Sequence, residues 1–251
     1  MNSRDLRSFS SECDVAIIGS SGGIGKALTE LLSQQECVRN IFSCSRTDHN
    51  LGVDKTSFIP LNITDEPSII SAVKKITAKT TKLDLVIVAT GTLHEGESLQ
   101  PEKSWRSLSE DNLLKIFQIN TIGPTLVAKY FLDLMPKDCK SVFAALSARV
   151  GSIEDNSIGG WYAYRSSKAA LNMMVKSLSI ELSRKNPNAV AVTLHPGTVD
   201  TKLSKPFQGS VPQDNLFSPQ TSAKHLLKVI DELPTDATGH LFAWDGQIIP
   251  F

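Results

Sequence analysis

Long apolar runs are missing from this 251-residue chain. Stretches such as Val15-Ala16-Ile17-Ile18 and Leu85 to Ala89 fall far short of the ~20 residues that cross a bilayer, so no membrane-spanning helix is expected. An excess of either charge is missing too. The 26 Lys and Arg balance 26 Asp and Glu, giving a formal net charge of zero. No global field gathers phosphates, and without a Lys/Arg cluster no nucleic-acid partner is expected. Cysteine is sparse: Cys13, Cys37, Cys44 and Cys139 form no C-x-x-C pair and have no partnered His spacing. That argues against a metal site or disulfide framework and for free thiols in a reducing, cytoplasmic compartment. Met1 to Ser11 lacks the apolar core of a secretion signal and reads as a loose polar tail. Repeats, low-complexity tracts and Pro/Gly-rich linkers are absent, so residues 12–251 are expected to form one domain.

What is present is an alternation. With 41% hydrophobic and 21% charged residues the composition is that of a globular protein. β-Branched runs at Asp14–Ile18, Asn40–Cys44, Ser57–Leu61, Leu83–Ala89, Ser141–Leu146, Ala189–Leu194 and His240–Trp244 are separated by segments of helical period. Ile24-Ala27-Leu28-Leu31-Leu32 is one such segment and Leu171-Met174-Val175-Leu178 another. The pattern predicts an α/β fold, a doubly wound parallel sheet of seven strands with helices on both faces. Lys202–Ser218 has no clear period and reads as a long loop that could cover a site.

The first strand runs into Gly19-Ser20-Ser21-Gly22-Gly23-Ile24-Gly25 and then into a helix pattern. A dinucleotide pyrophosphate needs this order: glycine where φ turns positive, glycine where backbone approaches phosphate, and free N–H groups at a helix N-terminus. Glycines at this spacing are expected by chance only about 0.05 times in a chain of this composition. The reading is a Rossmann-type cofactor site. After the second strand come Ser45, Arg46 and Thr47 with no carboxylate to repel a 2′-phosphate, and Arg46 can bind one. NADP(H) is therefore favoured over NAD(H); the alternative puts Asp48 or Asp54 on the ribose.

Tyr164 and Lys168 lie one helical turn apart, where an ammonium would lower the pKa of a phenol. Alone that pair is a weak signal. Together with Gly19, Gly23 and Gly25, with Ser147 after the fifth strand, and with Pro196-Gly197 followed by Thr201 after the sixth, it resembles the short-chain dehydrogenase/reductase family over nearly the whole chain. Within that family, Ser147-Ala148-Arg149-Val150-Gly151-Ser152-Ile153 and the segment Gly160 to Arg165 look most like the C-factor and sniffer-type carbonyl reductase branch.

The resemblance implies roles. Tyr164 is the general acid toward a carbonyl oxygen, Ser147 orients that oxygen, and Lys168 tunes Tyr164 and holds the nicotinamide ribose. Pro124, within a helical stretch from Asp111 to Met135, deprives the Asn120 carbonyl of its helix partner; the family uses this asparagine in a water relay toward Lys168. Cofactor contacts are implied for Gly19, Ser20, Ser21, Gly23, Ile24, Gly25, Ser45, Arg46, Thr47, Asn62, Ile63 and Gly91. They are also implied for Tyr164, Lys168, Pro196, Gly197, Val199 and Thr201. The expected activity is NADPH-dependent interconversion of a carbonyl and an alcohol, on a small-molecule substrate and in a homo-oligomer. A C-factor-type regulatory protein that binds cofactor is the alternative; a sugar epimerase would need a larger C-terminal domain. His195 reads as a packed strand-end histidine, while His94 and Tyr162 are left without a role.

Three departures stand out. Ile18 replaces the usual threonine before the first glycine, Val88-Ala89-Thr90-Gly91 replaces Asn-Asn-Ala-Gly, and Asn62 replaces an adenine-contacting aspartate. A longer interval between Ser147 and Tyr164 makes Glu154–Gly160 a candidate wall of the substrate site.

Overall fold

The computed structural model describes residues 6–48, 52–210 and 212–251. Its centre is one sheet of eight strands in the order β10-β9-β6-β5-β4-β1-β2-β3. These are β1 Cys13–Ile18, β2 Val38–Ser45, β3 Thr56–Pro60, β4 Leu85–Val88, β5 Ser141–Leu146, β6 Ala189–His195, β9 Leu241–Ala243 and β10 Ile248–Ile249. The seven runs expected from the sequence all pair in parallel. The eighth strand, β10, is an addition: it pairs antiparallel with β9. A turn at Asp245-Gly246 makes this possible, because Gly246 takes φ 86° and Gln247 N–H is held by Asp245 Oδ1. Two residues are too few to show a period.

Side chains alternate across β1. Val15 and Ile17 pack on the face covered by α1 (Gly23–Ser33) and α6 (Pro219–Glu232), while Ala16 and Ile18 pack on the face of α2 (Glu66–Thr77), α4 (Gly123–Phe131) and α5 (Tyr162–Lys185). Both faces are dry, which is why these strands read as unbroken apolar runs. The strand order reverses between β1 and β4. A crevice therefore opens at their carboxyl ends, the place where doubly wound sheets bind ligands.

Two expectations about the chain's less regular parts are corrected. The loose tail is anchored from residue 6, since Leu6 and Phe9 are buried in the core and Ser8 N–H donates to Asp231 Oδ1 at 2.8 Å. Residues 1–5 of that tail lie outside the described residues. The 202–218 loop is partly ordered: turns of 3-10 helix at Lys205–Ser210 and Gln213–Asn215 lead into β8 (Leu216–Phe217), which pairs with β7 (Thr198–Val199). The four cysteines are free, as expected.

Candidate active site

The glycine-rich turn is built as its residue types require. Gly19 takes φ 89°, and a Cβ on Gly25 would lie 2.2 Å from the Gly19 carbonyl oxygen, so only glycine closes this turn. The first backbone bond of α1 runs from Lys26 N–H to the Gly22 carbonyl, and no side chain caps the helix. The N–H groups of Gly23, Ile24 and Gly25 precede that bond and are left for an outside acceptor. A Cβ on Gly23 would meet Thr201 Cγ2 at 2.8 Å, which brings the turn after β7 against the phosphate turn. This glycine cradle, with its unused donors, fits a dinucleotide.

Ser20 is placed differently from expectation. It is fully buried, its N–H and hydroxyl both donate to the Cys44 carbonyl at 3.2 Å, and Ser43 Oγ donates to its Oγ at 2.8 Å. Its work is to tie the turn to β2, whereas Ser21 is exposed beside it.

At the end of β2, Ser45 is buried and donates to the Thr47 carbonyl at 2.7 Å, and Arg46, Thr47 and Asp48 are exposed. Asp54 precedes β3, at the amino ends of the parallel strands, whereas Gly19 follows the carboxyl end of β1. Asn62 closes a turn after β3 by accepting from Thr64 N–H at 3.2 Å and Thr64 Oγ1 at 2.9 Å, and Ile63 packs against Gly123.

Gly91, Asn120 and Lys168 converge at the crevice: a Cβ on Gly91 would lie 3.6 Å from both Asn120 Oδ1 and Lys168 Nζ. Asn120 is in a π-helical turn, Gln118–Ile122, between α3 (Glu110–Phe117) and α4. The wide turn follows from Pro124, which has no N–H for the Asn120 carbonyl. The Asn120 side chain clasps Thr92, accepting from its N–H at 2.8 Å and donating to its carbonyl at 2.9 Å. This clasp holds the segment after β4 where the usual Asn-Asn-Ala-Gly is missing.

Tyr164 and Lys168 share a buried face of α5, with Lys168 Nζ 5.9 Å from the Tyr164 ring centroid and donating to the Leu146 carbonyl at 2.8 Å. The expected lowering of the phenol pKa does not appear. Burial pushes Tyr164 up to about 12 and pulls Lys168 down to about 7, since neither charged form is well solvated there. At neutral pH Tyr164 keeps its proton. Ser147 sits at the end of β5, its N–H donating to the Leu194 carbonyl at 2.8 Å and its hydroxyl to Asn172 Oδ1 at 2.7 Å.

The helix that carries Tyr164 is entered through Trp161 at φ 51°, without a cap of its own. Glu102 supplies one from a distant loop: its carbonyl accepts from Trp161 N–H at 2.6 Å, and its Oε2 from Ala163 N–H at 3.2 Å. Trp161 and Phe207 meet edge to face at 5.0 Å, Phe207 meets His94 at 5.6 Å, and Leu93, Leu203 and Val150 complete the apolar cluster over Tyr164. His94 Nε2 lies 3.1 Å from the Lys202 carbonyl and borders a cavity of about 550 Å³ shared with Thr201, Lys202 and Lys205. Residues 154–160 are outside that cluster. Most are exposed, and Glu154 N–H bonds the Phe251 carbonyl; Trp161, which follows them, is the residue that joins the cluster. Tyr162 is half-buried and also outside the cluster.

Gly197 takes φ 79° with the Phe217 ring where a Cβ would go, and Ser222 Oγ donates to the Pro196 carbonyl at 2.8 Å, so the turn after β6 is held rigidly. The Val199 carbonyl accepts the Ser204 hydroxyl. Burial lowers His195 to about 4, which leaves it neutral and packed. Glu102, Asn172 and Phe207 were missed in the sequence; only Asn172 carried a signal, being four residues beyond Lys168 on the same helix.

A family model described as short chain dehydrogenase matches residues 14–210. The C-signal of Myxococcus xanthus is 35% identical over 140 residues, 56% of this chain and 79% of that protein. A 1-hydroxy-2-glutathionyl-2-methyl-3-butene dehydrogenase of Rhodococcus sp. (strain AD45) is 29% identical, with 94% and 98% of the two chains covered. Benzil reductase ((S)-benzoin forming) of Saccharomyces cerevisiae is 28% identical over 93% and 96%. Among solved structures, an NADPH-bound carbonyl reductase from chicken fatty liver superposes with a TM-score of 0.84 at 22% identity, covering 97% and 96%. The carbonyl reductase Sniffer of Drosophila melanogaster does so at 0.82 and 23%, covering 95% and 99%. These two likenesses establish the fold. Among the described residues, no helix is long and apolar enough to cross a membrane.

Proposed function

This chain belongs to the short chain dehydrogenase family of oxidoreductases, and on that premise we propose that it reduces the carbonyl group of a small molecule with NADPH, or runs the reverse reaction. One observation carries the reading: a buried tyrosine that keeps its proton at neutral pH, one helical turn from a buried lysine, beside Gly91 at the mouth of a glycine cradle. A phenol in that state is equipped to donate to an oxygen that gains negative charge.

The nicotinamide, when bound, supplies the hydride. Tyr164 gives its proton to the carbonyl oxygen as charge develops there, and Ser147 orients that oxygen from the end of β5. Lys168, loosely protonated near neutrality, shares the proton balance of Tyr164 and would hold a ribose hydroxyl of the bound cofactor. The Asn120 carbonyl, freed by Pro124, can hold a water that passes protons toward Lys168. Leu93, Trp161, Leu203 and Phe207 keep bulk water from the reacting atoms.

Arg46, with Ser45 and Thr47 beside it, would receive the 2′-phosphate, and the NADPH bound to the chicken carbonyl reductase supports that reading. Pro196, Gly197, Val199 and Thr201 would border the carboxamide. The C-signal likeness favours a second reading, a cofactor-binding regulatory protein with little turnover. NADPH oxidation across a panel of aldehydes, ketones and quinones separates the two. Turnover supports the reductase; tight NADPH binding without oxidation on any member supports the regulator.

A further inference from the structure

Helix α5 grips the end of β5 at two consecutive residues. Lys168 Nζ donates to the Leu146 carbonyl, and one turn further along the same face Asn172 Oδ1 accepts the Ser147 hydroxyl at 2.7 Å. Tyr164, Lys168 and Asn172 are four residues apart, so a single stripe of the helix carries all three. Asn172 is 2% exposed, and its Nδ2 has no hydrogen-bond partner among the described residues. A buried amide with an idle NH₂ is rare and costly.

A serine hydroxyl has one proton. While it is given to Asn172 Oδ1, Ser147 turns only lone pairs toward the reaction site, which can accept from an alcohol but repel a carbonyl oxygen. Turning the Asn172 amide over reverses this. Nδ2 then donates to Ser147 Oγ, gaining the partner it lacks, and the Ser147 proton is released toward a carbonyl oxygen. Only hydrogen bonds change.

We propose that Asn172 is a positioning residue that sets the proton direction of Ser147, donating to it when the site holds a carbonyl and accepting from it when the site holds an alcohol. Asn172 touches neither substrate nor cofactor and acts through Ser147. The inference rests on the reductase reading.

Steady-state NADPH oxidation with benzil as the probe tests it, wild type first, because a wild type that reduces neither benzil nor any member of the carbonyl panel overturns the reductase reading itself. Given wild-type turnover, Asn172→Asp keeps the shape but, ionised, can only accept. Its kcat at pH 8 should fall about tenfold or more and recover toward wild type as acidification protonates the carboxyl and lets it donate. In the Ser147→Ala background the same change should cost almost nothing further, since the proton it directs is gone. Asn172→Ser, which retains a donor and an acceptor, should keep more activity than Asn172→Asp at pH 8 and serves if the aspartate variant does not fold. A kcat near wild type at pH 8, a variant-to-wild-type ratio that does not change with pH, losses that multiply with Ser147→Ala, or a serine variant no better than the aspartate would each overturn the proposal.

Discussion

Lys168 Nζ lies 5.9 Å from the centre of the Tyr164 ring, and both side chains are buried, which drives the phenol up to about 12 and the amine down to about 7. Burial outweighs the pull of one charge on the other at that distance. Tyr164→Phe keeps the ring and its packing and removes only the proton. The expected outcome is a loss of roughly 10²–10⁴ in kcat for carbonyl reduction with NADPH affinity nearly unchanged. Turnover assays paired with calorimetric NADPH titration check it; a variant with normal kcat would contradict the role.

Arg46 is exposed at the end of β2, so its hold on a 2′-phosphate is partly screened by water. Arg46→Ala should weaken NADPH by about tenfold, roughly 1.4 kcal/mol, and leave NADH almost unaffected. Dissociation constants for the two cofactors measure it directly. An equal loss for both would move the ribose contact elsewhere, with Asp48 the nearest acidic candidate.

Gly25 and Gly19 touch through backbone. A methyl at Gly25 would meet the Gly19 carbonyl oxygen at 2.2 Å and Ser20 Cα at 3.0 Å, and none of these atoms can swing away. Gly25→Ala should cost on the order of 3 kcal/mol or more and abolish NADPH binding. Gly209→Ala, where a Cβ meets nothing within 4 Å, should leave both binding and melting temperature close to wild type. The two variants measured side by side separate the close approach from the mere loss of a glycine.

His195 ties stability to pH. Burial, with Arg149 nearby, holds it at about 4 against an ordinary 6.5, so the folded protein keeps it neutral while the unfolded chain would bind a proton. The stability it contributes is present in full above about pH 6.5 and is lost as the pH falls through 4, at most about 3 kcal/mol. Urea midpoints between pH 7 and 4 should drop less steeply in His195→Gln than in wild type. Parallel slopes would show that another group carries the acid sensitivity.

Much of this was legible in the chain, and the exceptions have a common cause. Gly19, Gly23 and Gly25 announce themselves because no other residue fits, and Tyr164 with Lys168 because a fixed helical step puts them on one face. The inward turn of Ser20 depends on Cys44, which is distant in sequence. The pKa direction of Tyr164 depends on how completely α5 and its neighbours exclude water, and no local pattern encodes that. Leu6 and Phe9 are two apolar residues in a polar stretch, too few for a period, and β10 is too short to show one. Phe207 comes from a 3-10 turn in a stretch whose sequence shows no period, and Glu102 caps a helix that begins 60 residues later. Each exception is a tertiary contact.

The central claim, that Tyr164 donates the proton in a hydride reduction of a carbonyl, is tested most directly with NADPH carrying deuterium at both C4 positions of the nicotinamide and a carbonyl compound the wild type reduces. Mass spectrometry of the alcohol should find the deuterium on the carbinol carbon with wild-type protein and almost no labelled alcohol with Tyr164→Phe. Alcohol without the label, or label transferred at the wild-type rate by Tyr164→Phe, would contradict the account.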